Sequence, residues 1–222
     1  ISSLNNRLNV SFDWYRRDVI GLITKGQTVP AVLGAESPST NNADIRNKGW
    51  ELTIGWKHSV MVAAKSLNYG LSFNLSDYQG TVMRYSNPKG LIDDWYVGKK
   101  MGEIWGYTTD HIMVDPAEAE AMNASGAQKL FGSNWAPGDM KYKDLDKSGS
   151  IDYGNKTLDD HGDLPIIGNN TPRFNFGFGV NAEWNGFDFS AFLQGTAKRY
   201  LWLSGRLAWG LGGGQWGSNV WE

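Results

Sequence analysis

The chain has 222 residues, enough for one large domain or two small ones. A formal net charge of -2 with 20% charged residues leaves no electrostatic footprint for nucleic acid. The absence of cysteine removes disulfides, thiolate zinc sites and a cysteine nucleophile from consideration. Twenty-eight glycines beside 11 Trp, 9 Tyr and 9 Phe, with no heptads or long apolar runs, point to an all-β protein with many turns. No run reaches the ~18 apolar residues of a transmembrane helix, a test that alternating barrel strands escape. The opening ISSLNNRLNV carries no signal-peptide pattern, and Trp221 and Glu222 bring no terminating feature. Both ends are therefore expected to be cut from something longer.

Five strands are predicted in chain order. Residues 7–16 alternate, with Leu8, Val10, Phe12 and Trp14 on one face and Asn9, Ser11 and Asp13 on the other. Residues 49–57 set Trp50, Leu52, Ile54 and Trp56 against Glu51, Thr53 and Lys57. Residues 67–76 set Leu67, Tyr69, Leu71, Phe73 and Leu75 against Asn68, Ser72, Asn74 and Ser76. Residues 173–184 carry Phe174, Phe176, Phe178 and Val180, and residues 187–196 carry Phe187, Phe189, Ala191 and Leu193. Each strand has about ten residues, the length that crosses a bilayer at barrel tilt.

The connections are asymmetric. A short segment near 58–66 joins the second and third strands, and Asn185-Gly186 supplies the positive-φ pair of a two-residue hairpin between the fourth and fifth. The connections at about 17–47 and 78–172 are long. Short and long loops thus alternate, as in a transmembrane barrel with short periplasmic turns and long outer loops. Parity then makes residues 94–107 an excursion inside the outer loop and not a crossing. In the same loop Asp115 can cap, and Pro116 open, a short helix that stops near Gly126.

Asp144, Asp146, Ser148, Gly149, Ser150 and Asp152 fit the first nine positions of an EF-hand-type loop. The twelfth position is Asn155 instead of a bidentate Glu, so Asp159, Asp160 or Asp163 would have to close a Ca²⁺ shell. The expected metal ligands are Asp144, Asp146, Ser148, Ser150 and Asp152; a solvated polar turn without an ion is the alternative. The run from Asp159 to Asp163, with His161, matches no catalytic motif, and an enzyme is not expected. Trp14, Tyr15, Trp50, Trp56 and Trp184 lie near predicted strand ends, where amphipathic rings settle at a membrane interface. Trp95, Trp105, Tyr107 and Trp135 are candidate stacking platforms for a sugar in the long loop, with packing inside the loop as the alternative. Trp202, Trp209, Trp216 and Trp221 follow the fifth strand, in a Gly-rich tail read as another loop.

Several stretches resemble one family in order and approximate spacing. They are LNNRLNVSFDWYRRDVIGLIT (Leu4 to Thr24), ADIRNKGWELTIGW (Ala43 to Trp56), VGKKMGEIWGY (Val97 to Tyr107), GDMKYKDLD with GSID (Gly138 to Asp152), and IIGNNTPRFNFGF followed by GFDFSAFLQG (Ile166 to Gly195). Together they are similar to the late barrel region of SusC-like (SusC/RagA-type) TonB-dependent outer-membrane transporters. The acidic loop departs from the family's shortest versions by running through LDDHGDLP.

The resemblance implies a fragment of a large antiparallel transmembrane β-barrel, about five strands of one receptor domain, with long extracellular loops and no plug domain. It implies outer-membrane import of oligosaccharides, or of peptides, in a Gram-negative bacterium. The partners would be a SusD-like surface lipoprotein, TonB acting through the plug, and lipid. Lipid would face Leu8, Phe12, Leu52, Ile54, Leu71, Phe73, Phe176, Phe178 and Phe189. The competing expectation is a secreted, calcium-stabilised β-sandwich that binds carbohydrate.

Overall fold

The computed structural model describes residues 2–26, 32, 34 and 37–202. Its elements are β1 (Ser2–Ser3), β2 (Leu8–Lys25), β3 (Ser39–Val62), β4 (Lys65–Arg84), β5 (Glu103–Trp105), β6 (Thr109–Ile112), α1 (Pro116–Ser125), β7 (Met140–Tyr142), β8 (Ile166–Asn169), β9 (Arg173–Trp184) and β10 (Phe187–Lys198). One antiparallel sheet of six strands runs in the order β1-β2-β3-β4-β9-β10 and does not close on itself. Two small hairpin-like pairs, β5 with β8 and β6 with β7, lie in the connection between β4 and β9.

Register turns the alternation into faces. Val10 opposes Ile54, Ile54 opposes Phe73, Phe73 opposes Phe178, and Phe178 opposes Leu193. One two-residue step outward, Phe12, Leu52, Leu75, Phe176 and Gly195 form the next row. All nine residues expected to face lipid fall on this face, because directly opposed residues of an antiparallel ladder share a side. The face is uncovered: Phe12, Phe189 and Leu193 are 63%, 60% and 65% exposed. A sandwich would cover it with a second sheet, and none packs there among the described residues. From Leu67 to Asp77 along β4 this band rises about 33 Å, or about 25 Å along a membrane normal at a tilt of about 40°.

The opposite face is polar and glycine-rich, with Asn74 opposing Gly177 and Ser72 opposing Gly179. Tyr15 belongs here and not to a membrane-facing girdle, since its ring lies across Gly49, where a Cβ would come within 2.5 Å of it. Tyr78, opposite Gly49, and Phe192, directly opposite Gly179, are further aromatic exceptions. Trp14 and Trp50 do share the apolar face and oppose each other, but in mid-strand. The reason is that β2, β3 and β4 continue well past ten residues, so the connection expected at 17–47 is largely strand, leaving only residues 26–38 between β2 and β3.

The short connections gather at one end. Ala63 and Ala64, with φ of 49° and 58°, make the two-residue turn between β3 and β4; Asn185 and Gly186, with φ of 47° and 85°, make that between β9 and β10. At the other end, β9 leaves β4 beyond Ser76, and residues 98–101 take its place. Val82 N–H donates to Lys99 O at 2.9 Å and Met101 N–H to Gly80 O at 2.9 Å. Asp77, buried at the changeover, is held by a bidentate ion pair from Arg173.

Left-handed backbone costs an alanine roughly 1 kcal/mol more than it costs glycine. Replacing Ala63-Ala64 by Asn-Gly is therefore expected to stabilise the hairpin by about 1 kcal/mol, read as a higher urea midpoint for refolding of the full-length parent into detergent micelles. An unchanged or lower midpoint would contradict the turn assignment.

Candidate functional site in the outer excursion

Residues 85–172 fold into a unit with its own interior. Ile92, Met113, Ala119, Met122, Ile151 and Leu164 are buried there, whereas among the described residues the sheet buries only Ala43 and Val82 of its apolar side chains. Helix α1 starts and stops where its caps predict. The Asp115 carboxylate accepts from Ala117 N–H at 2.9 Å, and Gly126, at φ 66°, closes the C-terminus with its N–H on Met122 O. The buried Gln128 stands in for a missing strand beside β7, accepting from Tyr142 N–H and donating to Met140 O at 3.1 Å.

The acidic loop is ordered by its own backbone. Asp144 accepts from Ser148 N–H at 3.1 Å and Gly149 N–H at 2.8 Å, and Asp146 accepts from Ser148 N–H at 2.9 Å. The Ser148 amide lowers the Asp146 pKa. Gly149 at the sharp-turn position has φ 85°, and Ile151 is seated in the interior with its N–H on Ala127 O. Oxygens of Asp144, Asp146 and Asp163 lie within 4.8 Å of one another, about twice a calcium–oxygen distance. The donor set fits a hard divalent cation in that respect. Of the expected ligands, Asp152 is turned away, with its carboxylate on Gly154 N–H at 2.7 Å, and Ser148 Oγ donates to Ser150 O at 2.8 Å. Asp163 is fully buried and also accepts from Leu145 and Asp152 N–H. Its sequence signal was only its place in the acidic run.

The four candidate aromatics do not form one platform. Trp95 packs on Tyr85 at 5.8 Å, Trp105 on His161 at 5.4 Å, and Tyr107 on Phe131 at 4.9 Å and Tyr142 at 5.9 Å. Trp135 is fixed through its backbone, whose N–H and C=O bond the side chain of Asn123. Burial raises the Tyr107 pKa, in keeping with a ring inside the unit. His161 was not among the candidate ligands, yet its Nδ1 and the Trp105 Nε1 are both buried without a hydrogen-bond partner among the described residues. Trp209, Trp216 and Trp221, with the Gly-rich tail, lie outside the described residues.

A charged knot ties β6, α1 and β7 together. His111 Nε2 lies 3.0 Å from Glu118 and its Nδ1 3.1 Å from Asp110; Lys141 reaches Glu118 at 2.7 Å, and Lys143 lies 4.0 Å from Asp110. Glu118 and then Asp110 raise the His111 pKa, while Lys141 and then His111 lower that of Glu118. The raised histidine contributes stability in full below its ordinary value of 6.5 and loses it as pH climbs through the raised one. The lowered glutamate contributes above 4.5 and loses it as pH falls. Helix α1 of the full-length parent should therefore show greater amide-exchange protection, corrected for intrinsic rates, at pH 6 than at pH 8. His111→Gln should abolish that difference, and its persistence in the variant would place the titrating group elsewhere.

No family model matches the chain. Its sequence is similar to two proteins of Formosa agariphila: "TonB-dependent receptor P3", 24% identical over 209 residues, and "TonB-dependent receptor P39", 25% identical over 220 residues. These alignments cover 88% and 86% of this chain but 19% and 20% of the relatives, so the chain spans about a fifth of their length. Its fold is similar to a solved RagAB peptide transporter, with a TM-score of 0.57 at 16% identity over 87% of this chain and 19% of the other. A RagAB peptide importer in the "closed-closed" state matches with a TM-score of 0.50 at 18% identity over the same shares. With its uncovered apolar face and unclosed sheet, the chain resembles a segment of a SusC/RagA-type TonB-dependent receptor barrel.

Proposed function

We propose that this chain forms part of the wall and outer vestibule of a TonB-dependent importer in the outer membrane of a Gram-negative bacterium. The observation that carries this is the sheet itself. A continuous apolar band covers one face, a polar, glycine-rich surface covers the other, and the short turns lie at one end with the large excursion at the other. Lipid covers the band, and the polar face lines the lumen beside a plug contributed by the rest of the receptor domain. TonB drives that plug, and a SusD-like lipoprotein meets the excursion from outside.

The cargo in this reading is an oligosaccharide. Half-buried rings such as Trp95, Trp105 and Trp135 supply apolar planes at low entropic cost in the excursion. Peptide cargo is the second reading, favoured by a fold shared with a structure described as a peptide transporter. The full-length parent should fractionate with the outer membrane and migrate faster unboiled than boiled in mild detergent. Cells carrying it should accumulate fluorescent oligosaccharides in a TonB-dependent manner, with uptake cut about tenfold or more by Trp105→Ala. A soluble parent with no heat-dependent shift sinks the importer, whereas uptake of labelled oligopeptides alone replaces the cargo.

In the same reading Asp144, Asp146 and Asp163 hold a Ca²⁺ that pins the acidic loop to the excursion's interior. Calcium at about a hundred times its Kd should stabilise the excursion by about 2.7 kcal/mol, and Asp144→Asn with Asp146→Asn should remove that gain. Terbium luminescence sensitised by nearby aromatic rings gives an independent titration. No luminescence and no stabilisation would leave the loop an ion-free polar turn.

A further inference from the structure

Beyond the aromatic pair Trp14–Trp50, the lipid-side face changes character within one two-residue step. Arg16 opposes Lys48, and Lys48 opposes Gln79. In the following row Asp18 opposes Arg46, Arg46 opposes Thr81, and Thr81 bridges to Lys100, whose Nζ donates to the Thr81 hydroxyl at 2.9 Å. All these residues share the parity of Phe12, Leu52 and Phe73, so they sit on the perimeter and not in the lumen. Asp18 is the acid among them, and Arg16 and Arg46 share it at 2.6 and 2.7 Å. Lys48 is exposed, and neither it nor Lys100 makes an ion pair among the described residues. The nearby Glu103 spends its carboxylate on Lys100 N–H and the Tyr96 hydroxyl.

Two basic side chains directly opposed on a ladder repel each other, and this sheet sets Arg16 against Lys48 with one aspartate for the whole group. At the short-turn end of the same face the corresponding row, Val62 opposite Lys65, offers a single lysine. The positive charge is thus concentrated at one rim of the apolar band, on side chains whose stems can lie along apolar surface while their heads reach polar groups. A cleft of about 550 Å³ opens beside it, bordered by Gln79, Lys100, Arg173, Phe174 and Tyr200.

We infer that this cationic rim binds the phosphate-bearing headgroups of outer-leaflet lipid, holding an anionic lipid against the barrel wall at the base of the excursion. The inference rests on the barrel reading above and adds a ligand to its perimeter. Continuity with the apolar band supplies the acyl-chain half of the site, and Lys48 and Lys100, with Arg16 and Arg46 sharing the single Asp18, supply the headgroup half.

The test uses the full-length receptor in nanodiscs of equal parts phosphatidylcholine and phosphatidylglycerol. Electron paramagnetic resonance of spin-labelled lipid reports the motionally restricted fraction. The wild-type receptor should restrict phosphatidylglycerol roughly fivefold more than phosphatidylcholine. Arg16→Gln, Arg46→Gln, Lys48→Gln and Lys100→Gln together should bring the ratio near one. Lys48→Gln alone, at an exposed position that asks little of folding, should lower it partway, and Lys65→Gln at the opposite rim should leave it unchanged. Equal restriction of the two lipids by the wild-type receptor overturns the inference, as does displacement of the bound lipid by inorganic phosphate alone, which would mark a site for free anions. A parent that does not insert as a heat-modifiable barrel defeats the barrel reading first, and that failure is visible on the gel before any lipid is measured.

Discussion

A strand that faces hydrocarbon must hand every backbone N–H and C=O to a neighbouring strand, because lipid offers no substitute partner and each unmade bond costs several kcal/mol. The main sheet obeys that demand across the apolar band. From Leu67 to Ser76, β4 is paired on both sides, by β3 and by β9. Only beyond Ser76, where the apolar row gives way to the buried Asp77–Arg173 ion pair, does β9 leave and the excursion take over the β4 edge. Irregular backbone begins where polar groups again have partners other than strands. The outer edges of the sheet, along β2 and β10, keep ladder groups that further strands of the same barrel would complete.

The excursion follows the opposite rule. It buries its apolar side chains, Ile92, Met113 and Ile151 among them, and exposes polar ones, as a water-surrounded domain does. Too short of regular ladders to satisfy its own backbone, it uses side chains instead: Gln128 beside β7, Asp163 beneath Leu145 and Asp152, Asp115 at the start of α1. Each is a polar residue bonded to main-chain groups, which explains how a connection of this length holds one arrangement. The acidic loop is anchored to that framework through Ile151 and Asp163, so occupancy of the loop by an ion would act on the whole unit.

Charge and aromatic placement connect the two halves. The apolar band ends in Trp14 and Trp50 and is followed at once by Arg16, Lys48, Arg46 and Lys100, a sequence of layers that matches hydrocarbon, interface and anionic headgroup. On the polar face, the Tyr15 ring over Gly49 and the Ser72 hydroxyl over Gly179 occupy the space that glycines leave.

Much of this was legible in the sequence because period-two alternation is a local property. The faces of β2, β3, β4, β9 and β10, the Asn185-Gly186 turn and the Asp115 and Gly126 caps all depend on residues within a turn or two of one another. The lengths of β2, β3 and β4 were not, since beyond Trp14 and Trp50 both faces become polar and the alternation disappears while the ladder continues. Tyr15 was misplaced for a related reason: its face follows from strand parity, but its neighbour Gly49 is known only from pairing. The regrouping of the acidic loop around Asp163, the separate settings of Trp95, Trp105, Tyr107 and Trp135, and the gathering of Arg16, Arg46, Lys48 and Lys100 into one rim needed the tertiary structure. Those groupings join residues far apart in the chain, and only cross-strand register and the folding of the excursion decide which of them meet.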